Sequence, residues 1–250
     1  MQAIWFTIIL QPLFNILIFF YKYLGHDMGM AIIALTIIIR LVFWPSQGKA
    51  LRSQKALSEL QPEIEKIREK YKTEPQKQSQ EIMALYRTRK ISPLSGCLPL
   101  LIQFPILIGL YSILRHVFQG NNFDWLYKFI SSPGNLNTTL LGLVNLAQPE
   151  KIVMPILAGA TQFVLAWISR PKAQPKNQDP KKPGGFDMQG MMSKQMIYFF
   201  PILIIFFAWS LPSGLVLYWI VTNIFMIAQQ YIINKRGVVA PKVAVSVKKR

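Results

Sequence analysis

Residues 31–44 read AIIALTIIIRLVFW, an apolar run that contains a single charged side chain, Arg40. With its flanks the run forms a segment, residues 29–46, close to the roughly 20 residues that a helix needs to cross a bilayer. A charge near the centre of such a helix costs roughly 2.5–3.5 kcal/mol on insertion scales. Arg40 therefore either faces protein or a water-filled cavity, which would mark a working site, or extends its long side chain to the headgroups near Ser46.

Four further apolar blocks follow along the chain, and they predict an all-α polytopic membrane protein. The 250 residues are 52% hydrophobic with a formal charge of +17, and most of the charges lie between the blocks. Each block is about as long as a membrane-spanning helix. Together with residues 29–46 they predict a five-span helical bundle, whose other spans are residues 96–116, 152–169, 194–211 and 213–233.

Residues 1–24 precede these spans and have a mixed character. They are apolar and rich in aromatic side chains, but they also carry Gln11, Pro12, Asn15 and Lys22. Aromatic residues mixed with polar positions are typical of helices at the headgroup boundary. The pattern favours an N-terminal amphipathic interfacial helix, and a further membrane span stays open as the alternative.

The charges of the connecting segments predict the orientation of the spans. Residues 47–95 hold eleven Lys or Arg, whereas residues 117–151 hold two. Residues 170–193 and 234–250 are also rich in Lys and Arg, and the former contain enough Pro, Gln and Gly to predict a disordered loop. Because basic loops lie on the cytoplasmic side of a membrane, we expect these three basic segments, including a basic C-terminal tail, in the cytoplasm and residues 117–151 as an extracytoplasmic loop.

The first cytoplasmic segment, residues 47–95, carries an apolar stripe at helical spacing. Pro62 suits the first turn of a helix, and residues 76–90 read as a second helix after a turn. The members of the stripe are three or four positions apart: Leu57, Leu60, Ile64, Ile67 and Tyr71. These features predict a cytoplasmic helical hairpin, which is either a surface for a partner or a solvated linker.

The sequence carries no motif for nucleotide or metal chemistry. It has no glycine-rich phosphate loop, no HExxH motif and no Cys/His cluster, and it holds one Cys and two His in all. We therefore expect no cofactor and no metal site, and we do not expect an enzyme.

Nearly every predicted span contributes a polar side chain to the apolar interior. Thr36 precedes Arg40 by four residues and so shares its helix face. The other spans contribute Gln103, Gln162, Thr222 and Asn223. Such residues serve as hydrogen-bonding partners between helices, or they line a wet cavity together with Arg40.

Five motifs in order along the chain carry a resemblance to a known family. They are TIIIR (residues 36–40) with Pro45, LQP (60–62) with Tyr71, EIMALY (81–86), PLSGCLPLLIQFPI (93–106) and PSGLVLYWIVTN (212–223). With these motifs the chain resembles the YidC/Oxa family of membrane protein insertases. It is similar to a minimal bacterial form, because it shows neither the large periplasmic domain of proteobacterial members nor the N-terminal lipobox of many Gram-positive ones.

The resemblance implies a multi-pass protein of the bacterial plasma (inner) membrane with a cytoplasmic C-terminus. It implies an insertase and chaperone that moves nascent transmembrane segments from the cytoplasm into the bilayer without nucleotide hydrolysis. The hydrophilic substrate groove, open to cytoplasm and lipid, would hold Arg40, Thr36, Gln103, Gln162, Thr222 and Asn223. The apolar part of the substrate would slide to lipid along Phe104, Ile108, Phe207, Tyr218 and Trp219.

The expected partners are nascent membrane proteins, the lipid bilayer and, as an open possibility, a Sec translocon. The basic tail could contact ribosomal RNA, bind anionic lipid or merely enforce topology; its cations are Lys235, Arg236, Lys248, Lys249 and Arg250. Two other functions are weighed against the insertase. One is a small-solute or ion transporter that uses the same polar residues, and the other is a purely structural interaction protein.

Overall fold

The structure is a computed structural model that describes residues 2–89, 91–92, 98–120, 123–169 and 188–235. These residues are mostly helical, with one small β-hairpin. The helices are α1 (Gln2–Trp5), α2 (Gln11–Tyr23), α3 (Met28–Val42), α4 (Trp44–Glu59), α5 (Gln61–Lys70), α6 (Pro75–Thr88), α7 (Leu98–Gly120), α8 (Val153–Ser169), α9 (Met188–Ala208) and α10 (Ser213–Lys235), with a π-helical segment, Phe6–Leu10, between α1 and α2. The hairpin pairs β1 (Thr139–Leu140) with β2 (Val144–Asn145).

Several of these helices are candidate membrane spans. By length and composition, two helical stretches of the described residues can each cross a membrane, Phe6–Tyr23 and Ser213–Ile233. A third can do so if α3 and α4 count as one span, and two shorter apolar helices are Val153–Ser169 and Ile197–Ala208. A mostly helical membrane protein is thus confirmed. The N-terminal helix, for which an interfacial position was favoured, has the length and composition of a span.

Some element boundaries differ from those expected from the sequence. The predicted span 29–46 covers α3 and the first residues of α4, because the helix is interrupted at Phe43. Of the predicted disordered loop 170–193, residues 188–193 belong to α9, and residues 170–187 lie outside the described residues. Of the basic tail, Lys235 ends α10, and residues 236–250 also lie outside them.

The chain divides into two compact units, of which the first holds α1–α3, most of α7, the β-hairpin, α8, α9 and most of α10. Its core consists of large apolar side chains from α2, α3, α7 and α10 that are fully buried, among them Phe14, Leu17, Leu35, Leu110, Ile113 and Tyr218. Burial of a side chain of this size stabilises a fold by about 1.5–3 kcal/mol in water. In a bilayer, where lipid is as apolar as the core, the close packing of these helices carries more of the stability.

Residues 123–150, here called the cap, cover one end of this first unit. Buried polar side chains of α2 bind the cap backbone: Asn15 Nδ2 donates to Trp125 O at 2.8 Å, and Asn15 Oδ1 accepts from Tyr127 N at 2.7 Å. Ser213, the first residue of α10, accepts from Glu150 N and donates to Gln148 O. The cap is therefore an ordered part of the helical unit, although its sequence reads as a polar loop.

The second unit contains α4, α5, α6 and the end of α10. α5 begins at Gln61 with Pro62 in its first turn, as the sequence predicts. It packs against α6 as a helical hairpin, in which Arg89 Nη2 lies 2.6 Å from Glu63 Oε1 and Gln78 Nε2 donates to Arg68 O at 3.1 Å. Leu60 and Ile64 of the predicted stripe are buried.

Candidate functional site

Arg40 lies at the centre of a polar network inside the first unit. Its side chain is buried, and Nη2 donates both to Gln103 Oε1 on α7 and to Thr222 Oγ1 on α10, the latter at 3.2 Å. Gln103 Nε2 in turn donates to the hydroxyl of Tyr218 at 2.8 Å. Three helices distant in sequence thus meet through one guanidinium.

This network lies deep in the helical bundle. Arg40 follows Met28, the start of α3, by 12 residues, or about 18 Å at 1.5 Å per residue. Thr222 follows Ser213, the start of α10, by nine residues, or about 14 Å. Arg40 thus lies two residues before the end of α3, whereas Thr222 lies near the middle of α10.

The charge of Arg40 is not neutralised by the residues that the structure describes. The ion pairs found among them, Lys77–Glu74 and Arg89–Glu63, do not involve it. The Nε atom of Arg40 is buried and has no hydrogen-bonding partner within the same part of the chain. A buried guanidinium whose partners are neutral oxygens keeps its full positive charge available to an anionic group.

The polar residues of α10 point to two different helices. Tyr218 and Thr222, four residues apart, share the face towards Arg40 and Gln103. Trp219 and Asn223, which directly follow these two residues, face α8 instead. Trp219 Nε1 donates to Gln162 Oε1 and Asn223 Nδ2 donates to Thr161 Oγ1, both at 3.2 Å. α10 therefore makes two neighbouring sets of polar contacts at the same height along its axis, one with α3 and α7 and the other with α8.

Five of the six predicted groove residues take part in these two sets of contacts. Arg40, Gln103 and Thr222 form one network, and Gln162 and Asn223 belong to the second set of contacts. Thr36 joins neither, since its fully buried hydroxyl donates to Ile32 O of its own helix at 2.6 Å. Gln103 and Gln162 are only half-buried.

The five predicted slide residues also fall into different surroundings. Phe104 and Ile108, four residues apart on α7, are 49% and 54% exposed, and Phe207 on α9 is 50% exposed. Trp219 is half-buried. Tyr218 is fully buried and lies in the Arg40 network, where its hydroxyl accepts from Gln103.

Sequence reasoning missed two contributors to these contacts. The hydroxyl of Tyr218 was assigned to the apolar slide, although its spacing of four from Thr222 would have placed it on the polar face. Thr161, next to Gln162 in the sequence, is not among the predicted groove residues. It accepts the hydrogen bond of Asn223 while donating to its own helix at Leu157 O and Ala158 O.

Comparison with known families and proteins gives a consistent result. The family described as 60Kd inner membrane protein matches residues 19–240 of the chain. Three curated relatives carry the name membrane protein insertase YidC. The protein of Syntrophobacter fumaroxidans is 34% identical over 246 residues, that of Pelobacter propionicus is 36% identical over 234, and that of Ralstonia nicotianae is 38% identical over 233.

The matches cover nearly all of this chain and a smaller part of the relatives. They include 93%, 92% and 92% of the chain, and 39%, 39% and 36% of the three relatives. The chain therefore spans about two fifths of the length of the curated relatives it matches. A solved structure, an active YidC insertase with its first transmembrane domain resolved, is similar with a TM-score of 0.57 and 26% identity over 88% of this chain and 45% of that one. These findings give no support to the alternative of a small-solute or ion transporter.

Proposed function

The chain belongs to the 60Kd inner membrane protein family, the YidC/Oxa insertases, and from this premise we propose that it moves nascent transmembrane segments from the cytoplasm into the bilayer. The observation that carries the proposal is the buried, unneutralised Arg40, held by Gln103 of α7 and Thr222 of α10. No nucleotide is required, because partitioning into lipid supplies the free energy.

The proposed role of Arg40 is to lower the barrier for a polar terminal segment. Such a segment must cross the bilayer ahead of the apolar stretch that follows it. An acidic side chain in this segment raises the free energy of crossing, because it must pass through the water-free hydrocarbon core. A hydrophilic groove that reaches into the membrane shortens the path through the hydrocarbon core. The guanidinium attracts the acidic group and holds water, and Gln103, Gln162, Thr222 and Asn223 supply further hydrogen-bonding partners, with Thr36 on the face of Arg40.

The apolar part of the substrate needs a different surface. Phe104 and Ile108 form an exposed strip on α7, and Phe207 adds an exposed aromatic side chain on α9. A transmembrane segment moves along such a strip into lipid, and each Å² of apolar surface removed from water contributes about 25 cal/mol. The membrane potential adds about 2.3 kcal/mol per charge per 100 mV for an acidic group that moves outward.

The proposed topology has five spans, with the hairpin of α5 and α6 and the C-terminus in the cytoplasm. The strongly basic composition of residues 47–95 and 234–250 supports this orientation. The cap then lies outside, where its bonds to α2 and α10 close that end of the bundle. Nascent membrane proteins and lipid are the partners, and the basic tail is a candidate contact for ribosomal RNA.

An insertion assay tests this proposal. Arg40→Ala and the double variant Thr36→Val/Gln103→Leu are reconstituted into vesicles, and translocation of a substrate with an acidic N-terminal tail is compared with that of the same substrate with a neutral tail. We expect slower insertion of the acidic substrate and little change for the neutral one. Arg115→Ala, which removes an exposed arginine of α7, is the matched control. Normal rates for both substrates in both variants would overturn the proposed groove.

A further inference from the structure

The hairpin of the cap has an unexpected residue in its turn. Leu143 N donates to Leu140 O at 2.9 Å, and φ is 51° at Leu141 and 73° at Gly142. Two positive φ values in succession define a type I′ turn, which favours Asn, Asp or Gly at its central positions. Gly142 suits this backbone, whereas a leucine at position 141 brings its Cβ close to the following carbonyl oxygen.

Contacts with the start of α3 hold this hairpin in place. The buried carboxylate of Asp27 accepts from Leu141 N at 2.6 Å through Oδ2 and caps α3 through Oδ1, which accepts from Met30 N at 2.9 Å. Leu140 lies directly against Gly29, in the first turn of α3. The tip of the hairpin therefore has a defined position relative to the end of this helix.

The two leucines beside Gly142 do not contribute to the core. Leu141 is 67% exposed and Leu143 is 85% exposed, whereas Leu146 on the same hairpin is fully buried. Single exposed leucines are common on protein surfaces. Here, however, two of them form the tip together with a glycine, and Leu141 occupies a position where a polar residue would suit the backbone better.

Exposed aromatic residues of the kind that collect at a membrane boundary lie at this end of the first unit. Tyr23, at the end of α2, is 72% exposed, and Trp209, just after α9, is 52% exposed while its Nε1 donates to Lys151 O at 2.8 Å. Tyr and Trp with an apolar body and a polar tip collect at the headgroup level. Asp27, which holds the hairpin, follows Tyr23 by four residues, so the tip is anchored close in sequence to one of these aromatic residues.

We propose that the tip, Leu141-Gly142-Leu143, inserts into the adjacent leaflet at the boundary between headgroups and acyl chains. Lipid is the occupant because the tip carries no polar side chain and is held by Asp27, four residues after the exposed Tyr23 at the end of a helix long and apolar enough to cross a membrane. A specific protein interface buries roughly 1,000 Å² or more in total, which three residues do not provide. The insertion fixes the cap against the membrane and so explains why leucine is used at a turn position that disfavours it.

Depth-dependent quenching tests the insertion. In a Cys97→Ser background, Leu143→Cys and, as a matched control at an exposed polar position of the cap, Asn135→Cys are labelled with an environment-sensitive fluorophore. The protein is placed in phosphatidylethanolamine–phosphatidylglycerol vesicles, with or without brominated acyl chains. We expect brominated lipid to lower the emission from position 143 about twofold and to leave position 135 unchanged, with the opposite order for aqueous iodide.

A second variant separates lipid contact from folding of the hairpin. Leu141→Asn suits the type I′ turn and keeps the Asp27 contact, which uses the backbone N–H, but it removes half of the apolar tip. We expect quenching by brominated lipid at position 143 to fall in this variant while the protease resistance of the cap is kept. If position 143 is as accessible to iodide as position 135, or if Leu141→Asn leaves its lipid quenching undiminished, the tip is not a membrane anchor and a protein occupant takes its place.

Discussion

The guanidinium of Arg40 donates from Nη2 to the hydroxyl of Thr222 at 3.2 Å, across 182 positions of sequence. Both side chains are buried, and the contact joins α3 to α10. Hydrogen bonds between helices within a membrane average about 0.6 kcal/mol and reach about 1.7 kcal/mol. The contact is therefore modest in energy but specific in position, since it sets where the positive charge lies.

Thr222→Val removes this acceptor while keeping the shape of the side chain. We expect a loss of about 0.5–2 kcal/mol in stability, because Nη2 keeps only Gln103 as a partner. Thermal unfolding in detergent micelles measures the loss. Thr222→Ser keeps the hydroxyl and is the control; an equal loss in both variants would show that packing of the methyl group, and not the hydrogen bond, is responsible.

Gln103 and Tyr218 are expected to be energetically coupled through the 2.8 Å bond from Nε2 to the hydroxyl. The single variants Gln103→Leu and Tyr218→Phe each leave the other group without this partner. A double-mutant cycle on unfolding free energies should therefore give a coupling energy of about 0.5–1.5 kcal/mol. Strict additivity of the two variants would contradict the direct contact.

Gly29→Ala should displace the β-hairpin from α3. A Cβ at this position would lie 2.7 Å from Leu140 Cβ and 3.0 Å from Leu140 Cα, so backbone has to move. We expect a loss of about 1–3 kcal/mol and faster hydrogen exchange at the amide of Leu141, which donates to Asp27. In Gly48→Ala, the control, the nearest atom is Ile233 Cδ1 at 3.9 Å; similar exchange rates in both variants would argue against the tight contact.

The carboxylate of Glu150 is expected to make stability depend on pH. At the start of α8, Met154 N donates to this carboxylate at 2.7 Å and Ile152 N donates to it at 3.0 Å. These bonds, above all the one from Met154, lower the pKa of Glu150 from the usual 4.5. A lowered pKa in the folded state means that the contribution is complete above pH 4.5 and is lost as the pH falls through the lowered value.

Glu150→Gln should consequently be less stable than the parent protein at neutral pH, with a difference that shrinks in acid. Thermal unfolding in micelles from neutral pH to below the usual carboxyl pKa measures this convergence. Glu65→Gln, on an exposed position of α5, controls for the change in net charge. A difference between Glu150→Gln and the parent that stays constant over this range would refute the charge-dependent cap.

Hydropathy and charge along the chain were enough to predict a mostly helical membrane protein. The motifs around Arg40, Gln103 and Thr222 were enough to predict the family. Pro62 correctly indicated the start of a helix, because its fixed φ and missing N–H suit only the first turn. These properties belong to single residues or to near neighbours, so they can be read without knowing how the helices pack.

The contacts between helices could not be obtained in this way. Tyr218 and Trp219 are adjacent in sequence, yet one faces Arg40 and Gln103 while the other faces Gln162, since each residue turns an α-helix by about 100°. The contact of Leu140 with Gly29 likewise joins residues that are far apart in the sequence. Residue type and order thus specify the membrane helices and the residues available to the site, whereas the rotation and packing of those helices determine which side chains meet Arg40 and leave its charge unneutralised.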